Sequence, residues 1–275
     1  MELEHSVAQH YTHGSLERAI FEALAASGKD LNHLSPAELA PVDEFHIGGR
    51  QATIDFAAEL EIKPGLHLLD IGSGLGGASR YFAYKRGCRV TGIDLTEEYV
   101  RASEALAKQA GLENLVSYQY GSALALPFAP GSFDCAYMLH VGMNIQDKAK
   151  LFAEVRRVLK PNGIFGIYDV MREGAENDVS FPVPWASSPE TSFVESASTY
   201  RGLLESAGFA IKKERSRRKF AIEFFRQMRA VQDGRPPPLG LHILLGPSAP
   251  QKVANIINGL ERGLVAPTEI ISRAP

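Results

Sequence analysis

At 275 residues the chain is long enough for one elaborated α/β domain or for a domain with a smaller cap. Apolar residues at 45% and charged residues at 22% exclude a disordered chain, and a net charge of -3 gives no general attraction to polyanions, so a small-molecule partner is expected and nucleic acid is not. No apolar run approaches the ~20 residues of a membrane span, and the acidic start Met1-Glu2-Leu3-Glu4-His5 is unlike a signal peptide, so a cytoplasmic protein is expected.

Residues 1–62 read as a helical amino-terminal extension. Ser15 is placed to cap a helix carrying Leu16, Ala19, Ile20, Ala23 and Leu24 on one face, closed by Gly28. Ser35-Pro36-Ala37-Glu38 forms a capping box with proline in the first turn, and Gly48-Gly49 interrupts the chain before a third helix, Arg50 to Ile62. Histidines are dense here, at His5, His10, His13, His33 and His46. Gly14 and the residues before it read as irregular, no cysteine or carboxylate completes a ligand set, and packed or solvated histidines are expected rather than a metal site.

Leu66 to Ile71 is a short apolar run between Lys63-Pro64-Gly65 and a group of glycines, which predicts a buried central strand. Gly72, Gly74, Gly76 and Gly77 then make a tight strand-to-helix turn that lets a ligand lie against the backbone. The glycines fit both G-x-G-x-x-G, the dinucleotide pattern, and G-x-G-x-G. Asp70 separates the two, because a carboxylate at the strand end repels a pyrophosphate and attracts an ammonium.

The next helix ends near Gly87, and Arg89 to Asp94 is a second strand whose terminal carboxylate suits two vicinal ribose hydroxyls. Thr96 is placed to cap a helix running to Gly111. Strands follow at Val116 to Tyr120 and Ser132 to Met138, the latter with a buried thiol, Cys135, that forms no C-x-x-C with Cys88. Asp147 is placed to cap a helix holding Leu151, Phe152, Val155, Val158 and Leu159, after which a fifth strand reaches Tyr168. Strands alternating with helices at these lengths predict a parallel sheet covered on both faces. Met171 to Pro189 is irregular and reads as a lid or pocket wall. A helix near Thr199 to Ala207, a strand Phe209 to Glu214, helices near 220–261 and a last strand Val265 to Ile271 complete the chain, with Pro236-Pro237-Pro238 as a stiff connector. The basic run Lys212 to Lys219 reads as a solvated face or, alternatively, an anion site.

Asp70-Ile71-Gly72-Ser73-Gly74-Leu75-Gly76 resembles the first motif of the class I S-adenosylmethionine-dependent methyltransferases, acidic-x-G-x-G-x-G. Gly121 to Phe128, Ser132-Phe133-Asp134 and Leu159-Lys160-Pro161-Asn162-Gly163 resemble later segments of that family, and the likeness is nearly continuous from Leu68 to Tyr168. Phe45-His46-Ile47-Gly48-Gly49 and the helical start are similar to the branch that methylates sarcosine and dimethylglycine or quinone and isoprenoid precursors.

The resemblance implies a Rossmann-like three-layer sandwich over residues 63–275, with a mostly parallel seven-stranded sheet, a substrate loop near 171–195 and the helical extension as a cap. It implies S-adenosylmethionine as cofactor and S-adenosylhomocysteine as product, with Asp70, Gly72, Gly74, Gly76, Asp94, Leu95, Ser122, Ala123 and His140 around them. Ser122 replaces the aspartate that usually accepts from the adenine amino group, leaving the Ala123 backbone amide as an adenine contact. In-line transfer to an N, O or C nucleophile needs proximity, alignment and desolvation. His140, after the fourth strand, is the candidate proton acceptor, and Tyr11, His46, Phe181 and Trp185 are expected to wall the acceptor. A non-catalytic cofactor-binding module and a nicotinamide-dependent oxidoreductase are the alternatives, and the oligomeric state stays open.

Overall fold

The computed structural model describes residues 2–174, 179–231 and 237–275. Four helices, α1 (Glu2–Tyr11), α2 (Leu16–Ala26), α3 (Pro36–Asp43) and α4 (Gly49–Glu59), precede the first strand. Alternation follows: β1 (His67–Ile71), α5 (Gly77–Arg86), β2 (Arg89–Asp94), α6 (Glu97–Gln109), β3 (Val116–Tyr120), β4 (Phe133–Leu139), α7 (Lys148–Val158), β5 (Leu159–Arg172), α8 (Ala197–Ser206) and β6 (Ala210–Ser216). Three helices, α9 (Arg218–Val231), α10 (His242–Leu245) and α11 (Ala249–Glu261), then lead to β7 (Val265–Arg273).

The strands form one sheet in the order β3-β2-β1-β4-β5-β7-β6, parallel except for β7, which runs antiparallel to β5 and β6. Successive side chains enter opposite layers, as a two-residue period demands. Leu68, Cys135 and Tyr137 join one core with Phe56 of α4 and Phe82 of α5, whereas Leu69, Ala136 and Met138 join another with Leu151 and Phe152 of α7. This is the expected three-layer, mostly parallel arrangement. No described helix is long and apolar enough to cross a membrane.

Several local expectations are corrected. Residues 2–11, read as irregular, form a helix with Glu2 and Glu4 in its first turn and His10 in its last, the arrangement its dipole favours. Ser15 makes no capping bond; instead Glu98 of α6 accepts from the backbone N–H groups of His13, Gly14 and Leu16 at 2.6, 3.0 and 2.8 Å. Thr96 makes no side-chain cap either. The capping box at Ser35 and the Asp147 cap form as expected. β5 continues past Tyr168 to Arg172 because β7 pairs along its whole outer half.

The basic run is divided: Lys212, Lys213 and Lys219 are exposed, as a solvated face requires, whereas its arginines are paired with carboxylates. Arg215 and Arg217 both bind the buried carboxylate of Glu269, Arg217 also binds Asp55, and Lys213 binds Glu59. Within the loop near 171–195, residues 175–178 lie outside the described residues, as does Pro236 of the proline triplet.

Candidate functional site

Strand order changes direction between β1 and β4, and a crevice at the carboxyl ends of such strands is the ordinary ligand position in an open α/β sheet. The glycine turn folds over it. Gly72 and Ser73 donate to Ile93 O at 2.8 and 3.1 Å, and Gly74 N donates to Asp94 Oδ2 at 2.8 Å, which ties the turn to the end of β2. Gly72 has φ +66°, and a Cβ there would stand 2.5 Å from Val141 Cγ2. The turn is therefore closed to any side chain at that position.

Asp70 and Asp94 end adjacent strands and both line the resulting cavity. Burial pushes the Asp70 carboxyl up to about 7, although Ser79 Oγ donates to its Oδ2 at 2.6 Å. Burial also raises Asp94, against the N–H groups of Thr96 and Gly74 that bond to it. Two carboxylates held out of water with few cations beside them favour a ligand that brings a positive charge and hydroxyl donors.

His140 follows β4 with φ +57°, an uncommon conformation for a non-glycine residue at a strand end. Its ring is bonded on both sides: Ile47 N–H donates to Nε2 at 3.3 Å, and Nδ1 lies 3.2 Å from Tyr168 O, which assigns the proton to Nδ1. Burial, with His46 beside it, lowers its pKa to about 3. A ring with both nitrogens committed is a brace between the amino-terminal segment and β5, not a free proton acceptor, so that part of its expected role is corrected. His46 is likewise buried, with a pKa lowered to about 4 by burial, and lies 3.1 Å from Gly49 O.

The cavity measures about 1840 Å³ and takes in Asp70, Gly72, Gly74, Asp94, Leu95, Ser122, Ala123, His140, Tyr11, His46 and Trp185. Gly76 and Phe181 do not line it. Gly76 has φ +78° at the amino end of α5, and a Cβ there would meet the Tyr118 hydroxyl at 2.2 Å, so its glycine serves packing. Phe181 packs instead with Val183 and Trp185 in the cluster beneath α9 and α11. Tyr11 reaches the site because α1 lies across it, donating from its hydroxyl to Asn144 Oδ1 at 2.9 Å, while His10 Nε2 sits 3.1 Å from Pro184 O. Sequence reasoning missed Ser73 and Tyr99, which line the cavity and whose side-chain oxygens are buried with no hydrogen-bond partner in the protein. A serine inside the glycine turn was the available signal for the first. Tyr99, in the first turn of α6, carried none.

Residues 69–167 match the family model for the methyltransferase domain. The match runs from β1 into β5, about a third of the chain. Its glycine turn, Asp94, Ser122 and His140 all fall inside the matched residues. A sterol 24-C-methyltransferase of Gibberella zeae is 35% identical over 123 residues, 44% of this chain and 32% of its own. A glycine/sarcosine/dimethylglycine N-methyltransferase of Actinopolyspora halophila is 32% identical over 123 residues, 45% of this chain and 22% of its own. The chain thus spans about a third or less of those two relatives. Geranyl diphosphate C-methyltransferase from Streptomyces coelicolor A3(2) shares the fold of the methyltransferase domain and its additions, with a TM-score of 0.73 at 15% identity over 100% of this chain and 98% of that one.

Proposed function

We propose that the protein is a cytoplasmic enzyme that transfers a methyl group from S-adenosylmethionine to a small-molecule acceptor. The observation that carries this reading is one cavity at the sheet switch point containing two raised carboxylates, Asp70 and Asp94, and two buried hydroxyls without protein partners, Ser73 and Tyr99. The two carboxylates fit a ligand with an ammonium and ribose hydroxyls, which would supply the positive charge and the further donors that burial denies them. The methyltransferase-domain match supports the same reading.

In this proposal Asp70 holds the ammonium end, Asp94 accepts from the ribose hydroxyls, and Gly72, Gly74 and Leu95 shape the bed between them. Ser122 and the Ala123 amide face the adenine. Bound there, the cofactor supplies a methyl group on a sulfonium, which an acceptor lone pair takes as the carbon–sulfur bond breaks. The protein's work is to align the acceptor, strip its water and keep bulk water out. Tyr11, His46 and Trp185 serve as the enclosing wall, His140 braces it, and no side chain is assigned as general base. Residues 1–62 act as the cap and residues 63–275 as the methyltransferase domain.

The test is thermal melting with ligands. S-adenosylhomocysteine is expected to raise the Tm and NADH and NADPH to leave it unchanged. Stabilisation by a dinucleotide alone would overturn the reading in favour of hydride chemistry, which the pyrophosphate-repelling Asp70 argues against. Methylation of an acceptor panel, followed by S-adenosylhomocysteine release, separates an enzyme from a binding module.

A further inference from the structure

Starting from the methyltransferase reading, on which it rests, we infer that the acceptor is a bulky, neutral, largely hydrocarbon molecule, held in an apolar chamber that the helices α9, α10 and α11 add to the cofactor cavity. Size comes first. A pocket for one drug-sized ligand measures ~300–1,000 Å³. At about 1840 Å³ the cavity leaves roughly 800 Å³ even if a cofactor filled the upper end of that range. A second ligand the size of an amino acid would leave most of that space to water.

The chemistry of the wall is uneven. The charged groups that line the cavity nearer the sheet are Glu4, Asp43, Asp70, Asp94, Asp147 and the Glu44–Arg50 pair, in which Arg50 Nη1 lies 2.6 Å from Glu44 Oε1. Away from the sheet the lining is mainly apolar, with Phe225 and Met228 of α9, Leu244 and Leu245 of α10, and Val253 and Ile257 of α11, besides the polar Gln227 of α9 and His242 of α10. Phe225, Leu244, Leu245 and Ile257 are almost wholly buried, and Met228 and Val253 pack against the same apolar clusters. Hydrocarbon against such a wall is stabilised in proportion to the area removed from water, whereas a charged head would lose hydration with nothing to replace it. Arg229 of α9 also borders the cavity but is exposed to solvent. The polar, reacting end of the acceptor therefore faces the sheet, beside Tyr11 and His140, and its hydrocarbon body extends under α9–α11.

The experiment measures binding of four probes to the full chain saturated with S-adenosylhomocysteine: farnesol, cholesterol, sarcosine and geranyl diphosphate. Farnesol or cholesterol is expected to bind at least tenfold more tightly than sarcosine and geranyl diphosphate, the two arms distinguishing a chain from a fused-ring shape. Val253→Trp fills the chamber and is expected to weaken the lipophilic probe at least tenfold while S-adenosylhomocysteine affinity stays within twofold. Met228→Trp, at a partly exposed position of α9, gives the same readout if Val253→Trp does not fold. Tighter binding of sarcosine or geranyl diphosphate, or lipophilic binding indifferent to both tryptophans, overturns the inference and leaves the cofactor reading standing. Absence of S-adenosylhomocysteine binding overturns both.

Discussion

Ser122 Oγ donates a hydrogen bond to Glu4 Oε1, which joins the turn after β3 to the first turn of α1 across 118 residues of sequence. Ser122 also accepts from Leu124 N–H at 3.0 Å, so its hydroxyl is oriented by its own turn. Both residues line the cavity. The hydroxyl and the carboxylate come from different segments, and on the proposed reading the amino-terminal helix is part of the cofactor's surroundings.

Glu4→Ala is expected to weaken S-adenosylhomocysteine binding about tenfold, with Glu4→Gln falling between it and the parent, since one charge-assisted hydrogen bond is worth ~1.5–3 kcal/mol. Calorimetry measures it. In the parent, limited proteolysis of α1 should slow when the ligand is added; cleavage at an unchanged rate, with unchanged affinity in Glu4→Ala, removes α1 from the site.

Asp94 holds the turn as well as lining the cavity, accepting from Gly74 N–H and Thr96 N–H at 2.8 Å each. Asp94→Ala leaves two turn donors unpaired at ~1–3 kcal/mol apiece and should lower the Tm along with affinity. Asp94→Asn keeps one acceptor but turns an NH2 donor toward the other N–H and loses the charge; its Tm should fall less than that of Asp94→Ala while affinity drops ~10–100-fold. Equal affinity in Asp94→Asn rejects the ribose assignment.

On the proposed reading, Asp70 should make cofactor binding depend on pH. Its folded pKa, raised by burial to about 7 from an ordinary 3.8, means the neutral acid prevails below neutrality, whereas an ammonium ligand binds the carboxylate. Affinity for S-adenosylhomocysteine should therefore rise between pH 5.5 and 8 and then level off. The ligand-free protein shows the opposite sign: because folding raises this pKa, the group's contribution to stability is fully present below pH 3.8 and is lost as pH rises towards 7. Asp70→Asn should flatten the binding profile; a profile of the same slope would assign the titration elsewhere.

His140→Ala removes the Ile47 and Tyr168 bonds and puts alanine in a left-handed conformation, so the Tm should fall together with turnover. His140→Asn, better suited to φ +57°, should recover part of the Tm. Lost turnover at an unchanged Tm in both variants would return a proton-transfer role to the ring.

Gly76→Ala should lower stability by about 1–3 kcal/mol in urea unfolding, because the added methyl meets the Tyr118 ring and the backbone is left-handed. Gly74→Ala has only Tyr99 Cδ2 nearby, at 3.9 Å, so backbone strain alone acts on its stability. A larger loss at Gly74 than at Gly76 would reverse the packing assignment.

The sequence by itself determined the sheet, its glycine turn and the two strand-end carboxylates, because these depend on period-two burial, on turn chemistry and on charges at the ends of short apolar runs. Asp70 and Asp94 lie within 25 residues of each other on one βαβ unit, so local pattern was enough to bring them together. What closes the site was decided only in three dimensions. Glu98 caps α2 from α6, Glu4 meets Ser122, and Leu16, Ile20 and Leu24 of α2 share a core with Leu239 and Leu244 from the far end of the chain. Likewise the basic run gave no sign of its fate until β7 brought Glu269 beside Arg215 and Arg217. Such contacts depend on shape and burial between segments about 50 to 230 residues apart, and no periodicity or spacing within either segment encodes which surface the other will meet.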